Sequence, residues 1–197
     1  KKAGQEMENR LKSIIPNKLP HYVGSLHGLG YRILQRFNKV NYTVLDEKDC
    51  KVLLRDVIDS TLSIDNVEDE DVSLIKSKAS IVIDQASTSY PVNLNQILNK
   101  LNLINFLPIF KKIFKNYQDI KKKQNLVDFN DLMVLFANFL KTKKSELFIK
   151  DIDYIFFDEY QDINPIQNYI LSQFKEKSNI MVVGDDAQSI YKFRGSN

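Results

Sequence analysis

Asp153-Tyr154-Ile155-Phe156-Phe157-Asp158-Glu159-Tyr160-Gln161-Asp162 is the stretch on which the reading of this chain turns. Four apolar or aromatic residues, Tyr154 to Phe157, give way without a spacer to two acids. Strict alternation would mark a strand with one wet face. A short continuous apolar run instead suggests a strand covered on both faces, as in a parallel sheet. Ile180-Met181-Val182-Val183 repeats the pattern and ends in Gly184-Asp185-Asp186. Between the two runs, residues 164–175 read as a helix, so the order is strand, helix, strand, the unit that builds parallel sheets.

Moving upstream, 128–140 (DFNDLMVLFANFL) reads as a strongly amphipathic helix with Asp128 as its N-cap. Residues 3–15 place Met7, Leu11, Ile14 and Ile15 on one helical face, and Pro16 and Pro20 close that helix. His21 to Ser25 reads as a short strand. Leu26 to Phe37 follows as a helix with Leu29, Ile33, Leu34 and Phe37 toward a core. Residues 46–64 repeat Leu53, Leu54, Val57 and Ile58 at helical spacing. Asp65 to Asp71 is acidic and reads as a solvated loop. Residues 72–86 and 93–120 read as further helices, broken at Pro91 and Pro108. The layout is an α/β unit interrupted by a long helical stretch.

Composition narrows the classes. The chain has 197 residues, 43% of them hydrophobic, enough for a real core. Its formal net charge of +3 does not announce a nucleic-acid binder, so DNA affinity must come from local patches. Cys50 is the one cysteine and reads as a small buried side chain; with His21 and His27 alone beside it, a zinc site is not expected. No apolar run is long enough to cross a bilayer and no signal peptide is visible, so a cytoplasmic setting is expected. The sequence opens Lys1-Lys2 without methionine and stops at Asn197 without a closing element, which reads as a piece of a longer protein.

The chemistry lies at the strand ends. In open parallel sheets, ligands bind beyond the carboxyl ends of the strands. A carboxylate there can hold Mg²⁺ through water, because Mg²⁺ prefers hard oxygen ligands. A second can take a proton from the water that attacks a γ-phosphate. Asp158 is the metal candidate and Glu159 the base; the plainer alternative is a pair of acids closing a strand in a solvated turn. After the second run, Gln188 can sense the γ-phosphate or its attacking water through its amide. Tyr191 and Phe193, flanked by Lys192 and Arg194, suit single-stranded nucleic acid, with rings on bases and cations on phosphates. The alternative is that these rings merely pack.

DEYQD (158–162) followed by GDDAQSIYKFRGS (184–196) resembles the Walker B motif and motif III of the UvrD/Rep/PcrA group of superfamily 1 DNA helicases. Further segments agree in order. Lys1 to Met7 resembles the tail of motif Ia, and Val23 to Leu34 resembles motif Ib. Tyr42 to Glu47 resembles the start of the helical insertion, and Leu126 to Leu132 the return to the motor. The resemblance implies an α/β fold of the P-loop NTPase class. Its RecA-like parallel sheet would come from 1–41 and 127–197, and an all-helical subdomain would be inserted over 42–126. It implies ATP and Mg²⁺ as cofactors and single-stranded DNA and duplex junctions as partners, with movement 3′ to 5′, in DNA repair or replication. By resemblance, Glu159 and Gln188 are catalytic, Asp158, Gln188 and Arg194 meet the nucleotide, and His27, Tyr191 and Phe193 meet DNA. His27 reads equally well as a structural residue. Leu26 replaces the usual phenylalanine of motif Ib, Phe193 replaces a usual tryptophan, and Ala187 occupies a variable position.

No G-x-x-x-x-G-K-[ST] sequence occurs, so the backbone cradle for phosphates is missing from these 197 residues. In the family that loop precedes motif Ia and the second motor domain follows motif III. The chain on its own is therefore expected neither to hydrolyse ATP measurably nor to unwind DNA. Two other classes stand beside this reading. One is a non-catalytic DNA- or protein-binding remnant of a helicase. The other is a nuclease, disfavoured because no further acid or lysine near 158 forms a nuclease-like arrangement. Lys111, Lys112, Lys115, Lys121, Lys122 and Lys123 are candidates for duplex phosphates, or else a solvated helix face.

Overall fold

The computed structural model describes residues 2–38, 41–65 and 67–185. The first helix, α1, spans Lys2–Ile14. Its apolar stripe is only lightly covered, with Met7 and Ile14 exposed.

The strand expected at 21–25 does not form; the segment is a turn leading into α2 (Leu26–Asn38). Tyr22 is the reason. Its hydroxyl donates to the Ser25 carbonyl at 2.8 Å, curling the chain back on itself. A Cβ at Gly24, where φ is +159°, would stand 2.7 Å from that hydroxyl oxygen, and one at Gly28 2.6 Å from it. Two glycines thus let a tyrosine sit over the turn, and extended pairing is lost. Within α2, Ile33 and Leu34 are buried, with Leu29 and Phe37 packed against the same cluster.

The chain then leaves through β1 (Thr43–Val44) and returns through β2 (Leu126–Val127). These two strands pair in parallel, Thr43 with Leu126 and Val44 with Val127. Between them lie α3 (Glu47–Asp65), α4 (Asp69–Thr88), α5 (Leu94–Lys100) and α6 (Leu107–Lys123). Their apolar faces make one core around Leu54, Val57, Ile75, Val82, Phe110 and Ile113. The acidic stretch at 65–71 is less of a loop than its charge suggested. Asp65 closes α3, and Asp69, Glu70 and Asp71 form the first turn of α4, where negative charge suits the helix dipole. Pro108 starts α6 rather than breaking a helix, since a proline in the first turn gives up only an N–H that has no intrahelical partner.

Lys121 corrects the expectation for the basic run. Only 1% exposed, it lies with its ammonium 2.7 Å from both Asp128 and Asp131 and 4.1 Å from the centre of the Tyr117 ring. It cannot reach a phosphate. Lys112 pairs with Asp65 at 2.7 Å. Cys50 is half-buried.

The second core forms around α7 (Phe129–Leu140). Asp128 caps it as expected, and the cap is reciprocal. The Asp128 side chain accepts from the Asp131 N–H at 2.8 Å, and Asp131 accepts from the Asp128 N–H at 2.9 Å. A short α8 (Glu146–Ile149) leads to β3 (Tyr154–Phe157); α9 (Pro165–Ser172) crosses to β4 (Asn179–Val182). Strands β3 and β4 pair in parallel over four positions, from Tyr154 with Asn179 to Phe157 with Val182. Ile155 and Ile180 turn toward the second core, whose members include Ile166, Ile170 and Phe174. The opposite face was expected to be covered as well. Instead Tyr154, Phe156 and Met181 stand exposed, Phe156 at 75%. The architecture is helix-rich, and its strands, among the described residues, form two small parallel sheets.

Candidate active site

Because β3 and β4 are parallel and in register, their carboxyl ends coincide. Asp158 and Glu159 leave the end of β3 while Val183, Gly184 and Asp185 leave β4 alongside. The pairing continues past the strands. Val183 donates its N–H to the Phe157 carbonyl at 2.8 Å, and Tyr160 donates to the Val183 carbonyl at 2.9 Å.

Glu159 takes a left-handed backbone conformation, φ 56° and ψ 41°. That conformation costs a non-glycine residue about 1–2 kcal/mol, so the surroundings must hold it there. Two contacts do so. The Glu159 N–H donates to Asp158 Oδ1 at 2.9 Å, and the Gln161 amide Nε2 donates to Glu159 Oε2. Both acids are exposed at the rim of the strand ends.

Gln161 was not singled out from the sequence. It is only 9% exposed and lies in the short helical turn Tyr160–Asp162. Its Oε1 accepts from the Asp185 N–H at 2.9 Å. Because a carboxylate only accepts and a backbone N–H only donates, the two ends of the amide cannot be exchanged. Gly184 makes room for it, since a Cβ there would stand 2.7 Å from Oε1 and 3.1 Å from the Gln161 backbone nitrogen. A glutamine between Tyr160 and Asp162 carries no periodic signal; the hints were its place in DEYQD and a glycine in the second strand-end turn. Asp162, next in line, has its Oδ1 buried without a hydrogen-bond partner.

Asp158 fits a magnesium site of the water-mediated kind. Its Oδ1 is engaged by the Glu159 N–H, and the carboxylate as a whole is exposed. A single hard carboxylate at a strand end offers a hydrated Mg²⁺ one anchor, leaving its other positions to water and phosphate oxygens.

His27 packs elsewhere, on the first turn of α2. Its ring meets Phe129 edge-on, with centroids 5.6 Å apart. Burial pushes its pKa below the ordinary histidine value and favours the neutral ring. The remaining sequence-predicted site residues, Gln188, Tyr191, Phe193 and Arg194, lie outside the described residues. Among the described residues, no helix is long and apolar enough to cross a membrane.

The UvrD/REP helicase N-terminal domain family matches residues 1–197. The ATP-dependent DNA helicase Rep of Buchnera aphidicola subsp. Baizongia pistaciae is 31% identical over 211 residues, covering 100% of this chain and 29% of Rep. The ATP-dependent DNA helicase PcrA of Leuconostoc citreum is 27% identical, covering 100% of this chain and 26% of PcrA. The ATP-dependent DNA helicase srs2 of Schizosaccharomyces pombe is 26% identical, covering 99% of this chain and 24% of that protein. The chain thus spans less than a third of the length of each of these relatives.

Proposed function

This chain belongs to the UvrD/REP helicase N-terminal domain family, and from that premise we propose that it is the part of an ATP-driven DNA helicase that carries the hydrolytic carboxylates. The observation that carries this reading is the parallel pairing of β3 with β4. It sets Asp158 and Glu159 beside the turn at Gly184 and Asp185, at the end of a sheet where ligands of such folds bind. The sheet is read as part of a RecA-like P-loop fold, with 42–126 as the inserted helical subdomain and 1–41 with 127–197 as the motor portion.

In this reading Asp158 holds a water of the Mg²⁺ shell, and Glu159 orients the attacking water and takes its proton. Magnesium, when bound with ATP, neutralises charge on the phosphate oxygens. Gln188 and Arg194 serve the nucleotide; Tyr191 and Phe193 stack on bases of single-stranded DNA, with 3′ to 5′ movement. His27 is read as a packing residue of the α2–α7 contact, with DNA contact left to its exposed neighbours.

The test is DNA-stimulated ATPase in the full-length protein. Glu159→Gln is expected to keep nucleotide binding while turnover falls by about 10²–10⁴, the usual contribution of a general base. Unchanged turnover would remove Glu159 from the chemistry, whereas no ATPase in the native full-length protein would favour a non-catalytic binding module. The 197-residue chain alone, which contains no G-x-x-x-x-G-K-[ST] loop, is expected to show no ATPase above background.

A further inference from the structure

Gln161 joins two things that the strand ends hold side by side. One end of its amide grips the carboxylate of Glu159, and the other takes the backbone N–H of Asp185, the second residue of the turn after Val183. The side chain is nearly buried, and both polar ends are used, so it has one orientation. Opposite it stands Gly184, where the smallest side chain would press on the Gln161 oxygen at 2.7 Å. The acid that Gln161 holds is also the one with left-handed backbone. Free of that grip, an exposed glutamate would sample several rotamers.

We infer that Gln161 is a positioning residue that fixes the Glu159 carboxylate and ties its setting to the turn after β4. The inference rests on the hydrolytic reading of Glu159 given above. Any shift of the 184–185 turn moves the amide oxygen, and the amide nitrogen moves with it because the group is planar. The turn and the base therefore cannot be displaced independently. The chain that continues from this turn carries Gln188, Tyr191 and Phe193. Gln161 is thus a side-chain link between that segment and the base, beside the backbone bond from Tyr160 to Val183.

Three variants of the full-length protein test this, with Glu159→Gln run in parallel. Gln161→Ala removes both hydrogen bonds. Gln161→Glu keeps the length but sets a second carboxylate against Glu159. Gly184→Ala keeps Gln161 and presses on its amide oxygen at 2.7 Å, and on the Gln161 and Tyr160 backbone nitrogens at 3.1 and 3.2 Å. If Glu159→Gln is as active as the native protein, the hydrolytic reading itself fails, and the Gln161 results are judged separately from it.

With that control inactive, Gln161→Ala and Gly184→Ala are each expected to lower kcat by about 10-fold or more while KM for ATP stays within about 3-fold, the signature of a lost transition-state arrangement. In Gln161→Glu two adjacent carboxylates favour a shared proton, so the acid limb of its pH–rate profile moves to higher pH. Circular dichroism and thermal unfolding identify any variant that fails to fold, and Gly184→Ala then carries the test. Folded variants with kcat within about 2-fold of native would overturn the inference. So would a loss expressed wholly in KM, or a Gln161→Glu profile that falls without shifting.

Discussion

Lys121 Nζ stands 2.7 Å from Asp128 Oδ2, an ion pair that links the last turn of α6 to the N-cap of α7. Asp131 completes the arrangement at the same distance, so one buried ammonium serves two carboxylates that also cap a helix. This makes Lys121 the joint between the helical stretch and the second core, and removes it from any account of DNA contact.

Replacing Lys121 with alanine leaves Asp128 and Asp131 facing one another with no cation. Breaking a buried pair in this way costs about 3–5 kcal/mol. The neighbouring Lys122 and Lys123 are exposed, and their alanine variants should stay within about 0.5 kcal/mol of the native protein. Urea unfolding of the three variants distinguishes them. Equal stability for all three would mean that Lys121 holds nothing together.

The same cluster has a pH signature. Burial, with the Asp128 charge beside it, pushes the Asp131 carboxyl above its ordinary value of 3.8, while Lys121 pulls the other way. A carboxyl with a raised folded-state pKa binds its proton more readily folded than unfolded. Its contribution to stability is therefore fully present below 3.8 and is lost as pH rises through the raised value. Asp131→Asn cannot titrate. The stability of the native protein relative to that variant should fall as pH climbs from 3.8 upward, as denaturant midpoints at successive pH values would record. A difference that is flat across that window would contradict the assignment.

His27 gives a second titration with the opposite sense. Burial lowers its pKa from the ordinary 6.5, so the folded state favours the neutral ring. The stability this brings is present above 6.5 and is lost as pH falls through the lowered value. Phe129 supplies part of the cover. Phe129→Ala should therefore move the His27 titration, followed by NMR of its ring protons, back toward 6.5. No movement would place the cause of the shift elsewhere.

Gly30 marks the close approach of α2 to α7. A Cβ there would lie 3.2 Å from both Met133 Cε and Phe136 Cδ1 and 3.3 Å from Phe136 Cβ. Met133 can bend away, but Phe136 is fully buried and its Cβ is fixed to the helix. Alanine would improve helix propensity by about 1 kcal/mol, and overpacking costs about 1–3 kcal/mol. Gly30→Ala should thus be destabilising on balance, by about 1 kcal/mol. Phe136→Leu in the same chain should recover part of that penalty, read as non-additivity in a double-mutant cycle.

The sequence disclosed what local chemistry dictates. Continuous apolar runs ended by acids marked β3 and β4, and an aspartate before an amphipathic run marked the cap of α7. It concealed what depends on distant partners. Lys121 sits in a row of lysines that looks uniformly solvated, and only the fold brings Asp128 and Asp131 around it. Strands β1 and β2 have two residues each, too few for any period to register. Tyr22 made 21–25 look extended because aromatic and β-branched residues favour strands, yet its hydroxyl closes a turn over two glycines. Gln161 was passed over because its meaning lies in what faces it, the turn after β4.

Strands β1 and β2 also bear on how this architecture can diverge. The chain sets out on its helical excursion and comes back at adjoining positions, Thr43 beside Leu126. A detour with its two ends stitched together behaves as one closed loop. Each doubling of such a loop's length costs only about 0.6 kcal/mol in closure entropy. The detour can be extended, trimmed or exchanged for another bundle with little penalty at the seam, provided that the two-residue ladder and the Lys121 knot beside it are kept.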